Sequence, residues 1–207
     1  MTAYNADPSF QHAADQIVAI GQRMDRFGWV PSVGGNISVR LDAERIAITR
    51  SGGRKGFLTR EGVMVVDLHG ASLTEGGRPS AETGLHCQIY RAFPDVGAVL
   101  HGHSIAATVL SRVVEGDGIV LSGYEMIKAF AGQTTHEARV VVPLLDNDQD
   151  IDRLSGIVAG RLNGPVPGYV LRGHGVYAWG RDADQALMHL EALEFLLDCE
   201  FQARKIN

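Results

Sequence analysis

The stretch Ala98-Val99-Leu100-His101-Gly102-His103-Ser104 organises the reading of this chain. It is a short apolar run, beginning at Val96, that ends in two histidines. In an extended chain, alternate residues face the same side, so His101 and His103 project together from the strand's end. Gly102 between them lets backbone or ligand approach closely. A second short apolar run, Tyr169 to Leu171, leads into Arg172-Gly173-His174-Gly175 and delivers a third histidine between glycines. Paired histidines at a strand end are also met as solvated or capping groups. The second glycine-flanked histidine favours a metal, because three imidazoles are the ligand set of a catalytic zinc that keeps one position open.

Composition sets the class. The chain has 207 residues, enough for one domain with a sizeable core, and 1–207 is read as a single domain. Net charge is −5, and the basic residues form no long run, so neither nucleic acid nor an anionic membrane is expected as a partner. No apolar run approaches the ~20 residues of a membrane span. The N-terminus lacks a basic segment followed by an apolar one, so no signal peptide is expected. Cys87 and Cys199 are the only cysteines and read as reduced thiols of a cytoplasmic protein.

From Ser9, with residues 1–8 read as a loose tail, apolar positions Phe10, Ala13, Ile17, Ile20, Met24 and Phe27 fall at helical spacing. Ser9 is the expected N-cap and Gly28 the stop. A hairpin follows, Ile37 to Leu41 and Arg45 to Thr49, then a strand from Val63 to Leu68. Pro79-Ser80-Ala81-Glu82 is expected to open a helix running to about Phe93. Ser104 to Arg112, Tyr124 to Phe130, Asp150 to Leu162 and a segment capped by Asp182 read as further helices, with strands at Ile119–Leu121 and Arg139–Val142. No G-x-G-x-x-G follows the first strand, which argues against a parallel dinucleotide-binding sheet. The order predicts an α/β fold: a three-layer α/β/α sandwich with a mixed, largely antiparallel central sheet.

Gly34-Gly35-Asn36 and Ser51-Gly52-Gly53 are backbone-rich loops of the kind whose N–H groups hold anions. Ser80, at an expected helix start, adds a third such place. Together they suggest phosphate, with Arg54 or Lys55 as counter-charge, although each loop alone reads as an ordinary turn. Glu82 and Glu125 each open a helix, where the dipole favours a carboxylate in any case; either could carry a proton at a metal. His86, His136 and His189 read as ordinary surface or satisfied histidines.

Taken together, Gly35-Asn36-Ile37-Ser38-Val39-Arg40, Thr49-Arg50-Ser51-Gly52, Pro79-Ser80-Ala81-Glu82, His101-Gly102-His103-Ser104 and Gly173-His174-Gly175 resemble the class II aldolase/adducin-head superfamily, from about Asp15 to Glu200. Within it, Gly123 to Phe130, Leu145 to Ile151 and His189 to Leu196 look specific to the methionine-salvage branch, which dehydrates a ketose 1-phosphate bearing a methylthio group. The resemblance implies zinc on His101, His103 and His174, and phosphate held by Asn36, Ser51, Gly52 and Ser80. It implies Glu125 as principal acid/base, with Glu82 near the metal. It also implies a homotetramer, with some site residues acting across an interface. Two departures stand out: Ala81 replaces a second phosphate-binding serine, and Gly102 stands where relatives often carry threonine. Aldol cleavage, or epimerisation, of a related sugar phosphate is the rival chemistry. A non-catalytic scaffold, as in adducin heads, would have no use for three converging histidines.

Overall fold

The structure is a computed structural model that describes residues 7–162 and 164–206. Its centre is an eight-stranded sheet built outward from the expected hairpin. Strands β1 (Asn36–Arg40) and β2 (Arg45–Thr49) pair antiparallel, with Val39 opposite Ala47. β3 (Val63–Asp67) lies beyond β2, and β4 (Ala98–Gly102) lies on the free side of β1. Then come β5 (Gly118–Leu121), β6 (Val140–Leu145), β7 (Gly168–Leu171) and β8 (Gly175–Gly180), in the spatial order β3-β2-β1-β4-β8-β7-β6-β5. Only β6 and β7 run parallel; the other pairs are antiparallel. The mixed, largely antiparallel α/β sheet expected from the sequence is the one formed.

Side-chain alternation splits the core. On β4, Ala98 and Leu100 pack in one cluster with α1 (Pro8–Arg26), α3 (Ile105–Val113) and α5 (Ala183–Ile206). Val99 points the other way, into a cluster with α2 (Thr83–Ala92) and α4 (Ile151–Ala159). By the same period of two, His101 falls on the α2 side. The sheet thus separates two helical layers, and the parity of β4 decides which of them receives the histidines.

Several helix ends differ from expectation: α4 stops at Ala159 rather than Leu162, the Tyr124–Phe130 segment is a 3-10 turn over Glu125–Ala129, and α1 and α2 depart for clear reasons. The N-cap of α1 is Asp7, whose carboxylate accepts from the Ser9 N–H at 2.9 Å, with Pro8 at the first helical position. Proline fits there because its missing N–H would be unpaired anyway. Residues 1–6 of the expected tail lie outside the described residues. Phe27 ends the helix half-exposed and stacks on Trp29 at 4.7 Å rather than entering the core. The helix expected from Pro79 begins only at Thr83, because the Ser80 carbonyl is taken by the Thr83 N–H (3.1 Å) and hydroxyl (2.7 Å) in a turn.

Glu194 on α5 is 2% exposed, and neither carboxylate oxygen has a well-formed hydrogen bond among the described residues, the Ser104 hydroxyl being the one group that partly offsets its burial. Burial pushes its pKa up to about 8. An acid whose folded pKa is raised keeps its stabilising proton below the unfolded value near 4.5 and loses that contribution as pH rises toward 8. Glu194→Gln is therefore expected to raise the melting midpoint by several degrees at pH 8–9 and to change it much less at pH 5. A difference in midpoint that does not grow with pH would contradict this.

Candidate metal centre

Register places the first histidine. His101, on β4, is paired with Asn36 on β1 and with Tyr177 on β8. The Tyr177 ring lies against the imidazole at 3.9 Å, nearly parallel. His101 Nδ1 is 2.9 Å from the Val176 carbonyl, which can only accept. Nδ1 therefore carries the proton, and Nε2 presents a lone pair. His103 lies just past the strand, where its N–H donates to the Trp29 carbonyl at 2.6 Å.

His174 sits in the turn between β7 and β8, its N–H bonded to the Leu171 carbonyl at 3.1 Å. Its Nδ1 is 3.2 Å from the Asn147 side-chain oxygen and donates to it, which again leaves Nε2 with a free lone pair. Gly175 is required here, since a Cβ would stand 2.1 Å from the Gly102 carbonyl oxygen. The two histidine-bearing segments meet backbone to backbone only because that side chain is missing. Gly102 is also tight: a Cβ there would meet the Trp29 carbonyl oxygen at 3.1 Å and the Met24 methyl at 3.3 Å.

The three Nε2 atoms converge. His103 Nε2 is 2.7 Å and His174 Nε2 3.3 Å from His101 Nε2. Glu82 completes the group, with Oε1 2.8 Å from His174 and Oε2 3.4 Å from His101. One donor atom from each of the four lies within 4.8 Å of every other. Burial works against the Glu82 carboxylate; positive charge or a proton on the His101 and His174 side, together with the Asn36 amide, pulls its pKa well below the usual range, so the carboxylate calls for a cation among the imidazoles. Burial pulls His101 far below the ordinary histidine value, and His103 in the same direction. Imidazole lone pairs aimed at one point repel unless a cation lies between them. This donor set, nitrogen plus one anionic oxygen, fits a divalent metal ion.

Asn36 does not face an open anion site. Its amide nitrogen donates to Ser80 Oγ at 2.9 Å and to Glu82 at 2.6 Å, and its oxygen receives His86 Nε2. It aims the carboxylate. His86, read from sequence as ordinary, is fully buried behind the site, with Nδ1 2.7 Å from Ser38 Oγ; burial lowers its pKa to about 4. Nothing in a mid-helix histidine tells which layer it faces, so this supporting role had no sequence signal. Asn147 belongs to a motif singled out in the sequence, but its part in orienting His174 was not foreseen.

Ser51 and Gly52 lie beside Ser80: Arg50 bridges to Pro79, and the Ser51 N–H donates to the Arg78 carbonyl at 2.9 Å. The N–H groups of Gly52, Gly53, Ala81 and Glu82 have no protein acceptor among the described residues. Glu125, by contrast, is not one of the four clustered donors. It heads a 3-10 turn (Glu125–Ala129), its side chain is 71% exposed, and it pairs with Lys128 at 2.5 Å. His136 Nδ1 stands 4.0 Å away.

Residues 15–201 match the Class II Aldolase and Adducin N-terminal domain. The chain belongs to that family. Similar curated relatives are a methylthioribulose-1-phosphate dehydratase from Gluconacetobacter diazotrophicus, 61% identical over 194 residues (94% of this chain, 95% of the relative), and one from Acidiphilium cryptum, 55% identical (94% and 92%). Among solved structures, YgbL from Klebsiella pneumoniae, titled a putative aldolase/epimerase/decarboxylase, superposes with a TM-score of 0.80 at 24% identity, covering 93% of this chain and 90% of that one. L-fuculose-1-phosphate aldolase from Thermus thermophilus gives 0.73 at 24% identity, covering 92% and 94%. At that identity the structures bear on the class II aldolase fold alone.

Because Asn36 touches Glu82 rather than the metal position itself, Asn36→Ala should act through metal affinity. A loss of about 10- to 100-fold is expected, the usual worth of an orienting partner, measured by competition with a chelating dye. Unchanged metal affinity with weakened phosphate binding would restore Asn36 to the phosphate role.

Proposed function

We propose that this chain is a single-domain hydro-lyase that removes water from 5-methylthioribulose 1-phosphate, giving 2,3-diketo-5-methylthiopentyl 1-phosphate, as a zinc-dependent cytoplasmic enzyme of methionine salvage. The observation that carries the activity is the 61% identity to a methylthioribulose-1-phosphate dehydratase across 94% of the chain. The converging cluster supplies the chemical means. His101, His103 and His174, with Glu82 beside them, would hold the metal; nitrogen-rich donor sets of this kind suit zinc. When bound, a divalent cation polarises a carbonyl oxygen, which makes the neighbouring C–H removable.

The chain's residues then have separate tasks. The unpaired N–H groups of Gly52 and Gly53, with the Ser51 and Ser80 hydroxyls, are suited to the phosphate and fix the C1 end of the ketose; Asn36, through Ser80, supports them. A carboxylate takes the proton from C3 and, as the acid, gives one to the departing C4 hydroxyl. Water leaves, and the remaining enol rearranges to the diketone. We assign this shuttle to Glu125. Its exposure and its place outside the cluster suit a side chain that meets the substrate across a boundary between copies in a homotetramer. The apolar stripe Ile105, Val109 and Val113 on α3, exposed at 74%, 39% and 56%, is the kind of face such an assembly covers.

A second assignment has its own support, since Glu82 rather than Glu125 already stands against the histidines. Mass analysis after incubating the metal-loaded enzyme with methylthioribulose 1-phosphate tests the reaction: loss of one water is expected, and two carbonyl fragments would mean aldol cleavage instead. Glu125→Gln should keep its metal and lower turnover by about two to four orders of magnitude. Near-normal dehydration by that variant would move the shuttle to Glu82.

A further inference from the structure

The loop after Ser51 carries two adjacent cations, which the fold treats in opposite ways. Arg54 is exposed, its guanidinium lying 4.9 Å over the Phe57 ring. Lys55 is 2% exposed, and its ammonium donates to the Val33 carbonyl at 2.9 Å and the Gly53 carbonyl at 2.8 Å. Those carbonyls belong to the two glycine-rich loops, one leading into Asn36 and the other following β2. The first loop touches the metal centre directly, since a Cβ on Gly34 would stand 2.8 Å from His103 Nδ1.

A buried ammonium is costly, and an apolar side chain would fill the same space without that cost. Burial lowers the Lys55 pKa to about 8, against the opposing pull of Glu82. Two neutral carbonyls do not balance a full charge. An ammonium also has three N–H groups, and Lys55 has two protein acceptors among the described residues. The charge also acts on Glu82 and His103, across the glycine loop that Lys55 holds and that borders the cluster. A divalent cation held by neutral imidazoles and one carboxylate leaves about one positive charge. Lys55 brings the balance to about two, matching the roughly −1.5 to −2 of a phosphate monoester near neutral pH.

We propose that Lys55 is the charged partner of the substrate's phosphate, clasping both glycine loops through their carbonyls and directing its third N–H and its charge at the anion. The inference rests on the sugar-phosphate reading above and adds to it a residue that supplies positive charge from the protein. Arg54, the other cation foreseen in that loop, is left on the surface.

The test uses metal-loaded enzyme and inorganic phosphate as the probe. Lys55→Met is expected to retain its metal while the inhibition constant for inorganic phosphate rises about 10- to 100-fold, the worth of one hydrogen bond to a charged group. The KM for the sugar phosphate should rise by a larger factor than kcat falls. Phosphate inhibition equal to that of the parent would overturn the proposal and leave Lys55 as a loop clasp only. Should the variant fail to fold, the unmodified enzyme labelled with 15N-lysine gives the answer. The shielded Lys55 ammonium signal should shift as inorganic phosphate is added, over the range that inhibits turnover, and an unmoved signal would overturn the proposal. A parent enzyme that dehydrates the substrate while Lys55 ignores phosphate defeats this inference alone. A parent that neither turns over the sugar phosphate nor binds inorganic phosphate defeats the functional reading and the inference with it.

Discussion

The pairing of β4 between β1 and β8 is the constraint on which the rest depends. In that register His101 stands between Asn36 and Tyr177, and its Nδ1 meets the Val176 carbonyl. A slip of one residue would turn every β4 side chain to the other face, sending His101 into the apolar layer of α1 and α5. Leu100 and Val99, buried on opposite faces, oppose such a slip because each would have to exchange its surroundings. At ~1.5–3 kcal/mol per large buried apolar side chain, Val99 and Leu100 together outweigh any single polar contact at the strand's end in specifying its register. Chemistry at the strand's tip is thus fixed by hydrophobic packing along its length.

Behind the metal centre runs a buried polar chain that could exist only if fully paired. Asn36 joins Glu82 to His86, His86 joins Ser38, and the Ser38 hydroxyl lies 2.9 Å from the Tyr90 hydroxyl. Each member is buried or nearly so, and each would cost ~1–3 kcal/mol if left without its partner. Such a chain is stiff, because moving one group orphans the next. It leaves the Glu82 carboxylate little freedom to swing away from the histidines, which is what a preorganised cation site requires.

Much of this was legible in the sequence, for identifiable reasons. Alternation puts His101 and His103 on one side, glycines mark where segments meet closely, and α1 follows its apolar spacing from Phe10 to Met24. What could not be read depends on contacts between distant segments. The Asn36 amide looked like a loop donor, but β1–β4 pairing sets it opposite His101, where the start of α2 brings Glu82 against it. Lys55 and Arg54 are neighbours in the chain, and only the packed loops decide which is buried. The helix after Ser80 starts later than its N-cap residues suggest, because the Ser80 carbonyl closes a turn with Thr83 and the Glu82 carboxylate is drawn to imidazoles from β4 and the β7–β8 turn. Glu125 is the clearest limit: a carboxylate on a short surface turn takes its role from whatever lies against that surface.

Three imidazoles, with the Glu82 carboxylate beside them, would hold one divalent cation. X-ray absorption on the zinc-loaded protein measures this most directly. The account predicts one zinc per chain with a first shell of three imidazole nitrogens at about 2.0–2.1 Å and the remaining contacts to oxygen. A shell of oxygen atoms lacking the imidazole multiple-scattering signature, or a cysteine sulfur in the shell, would contradict it.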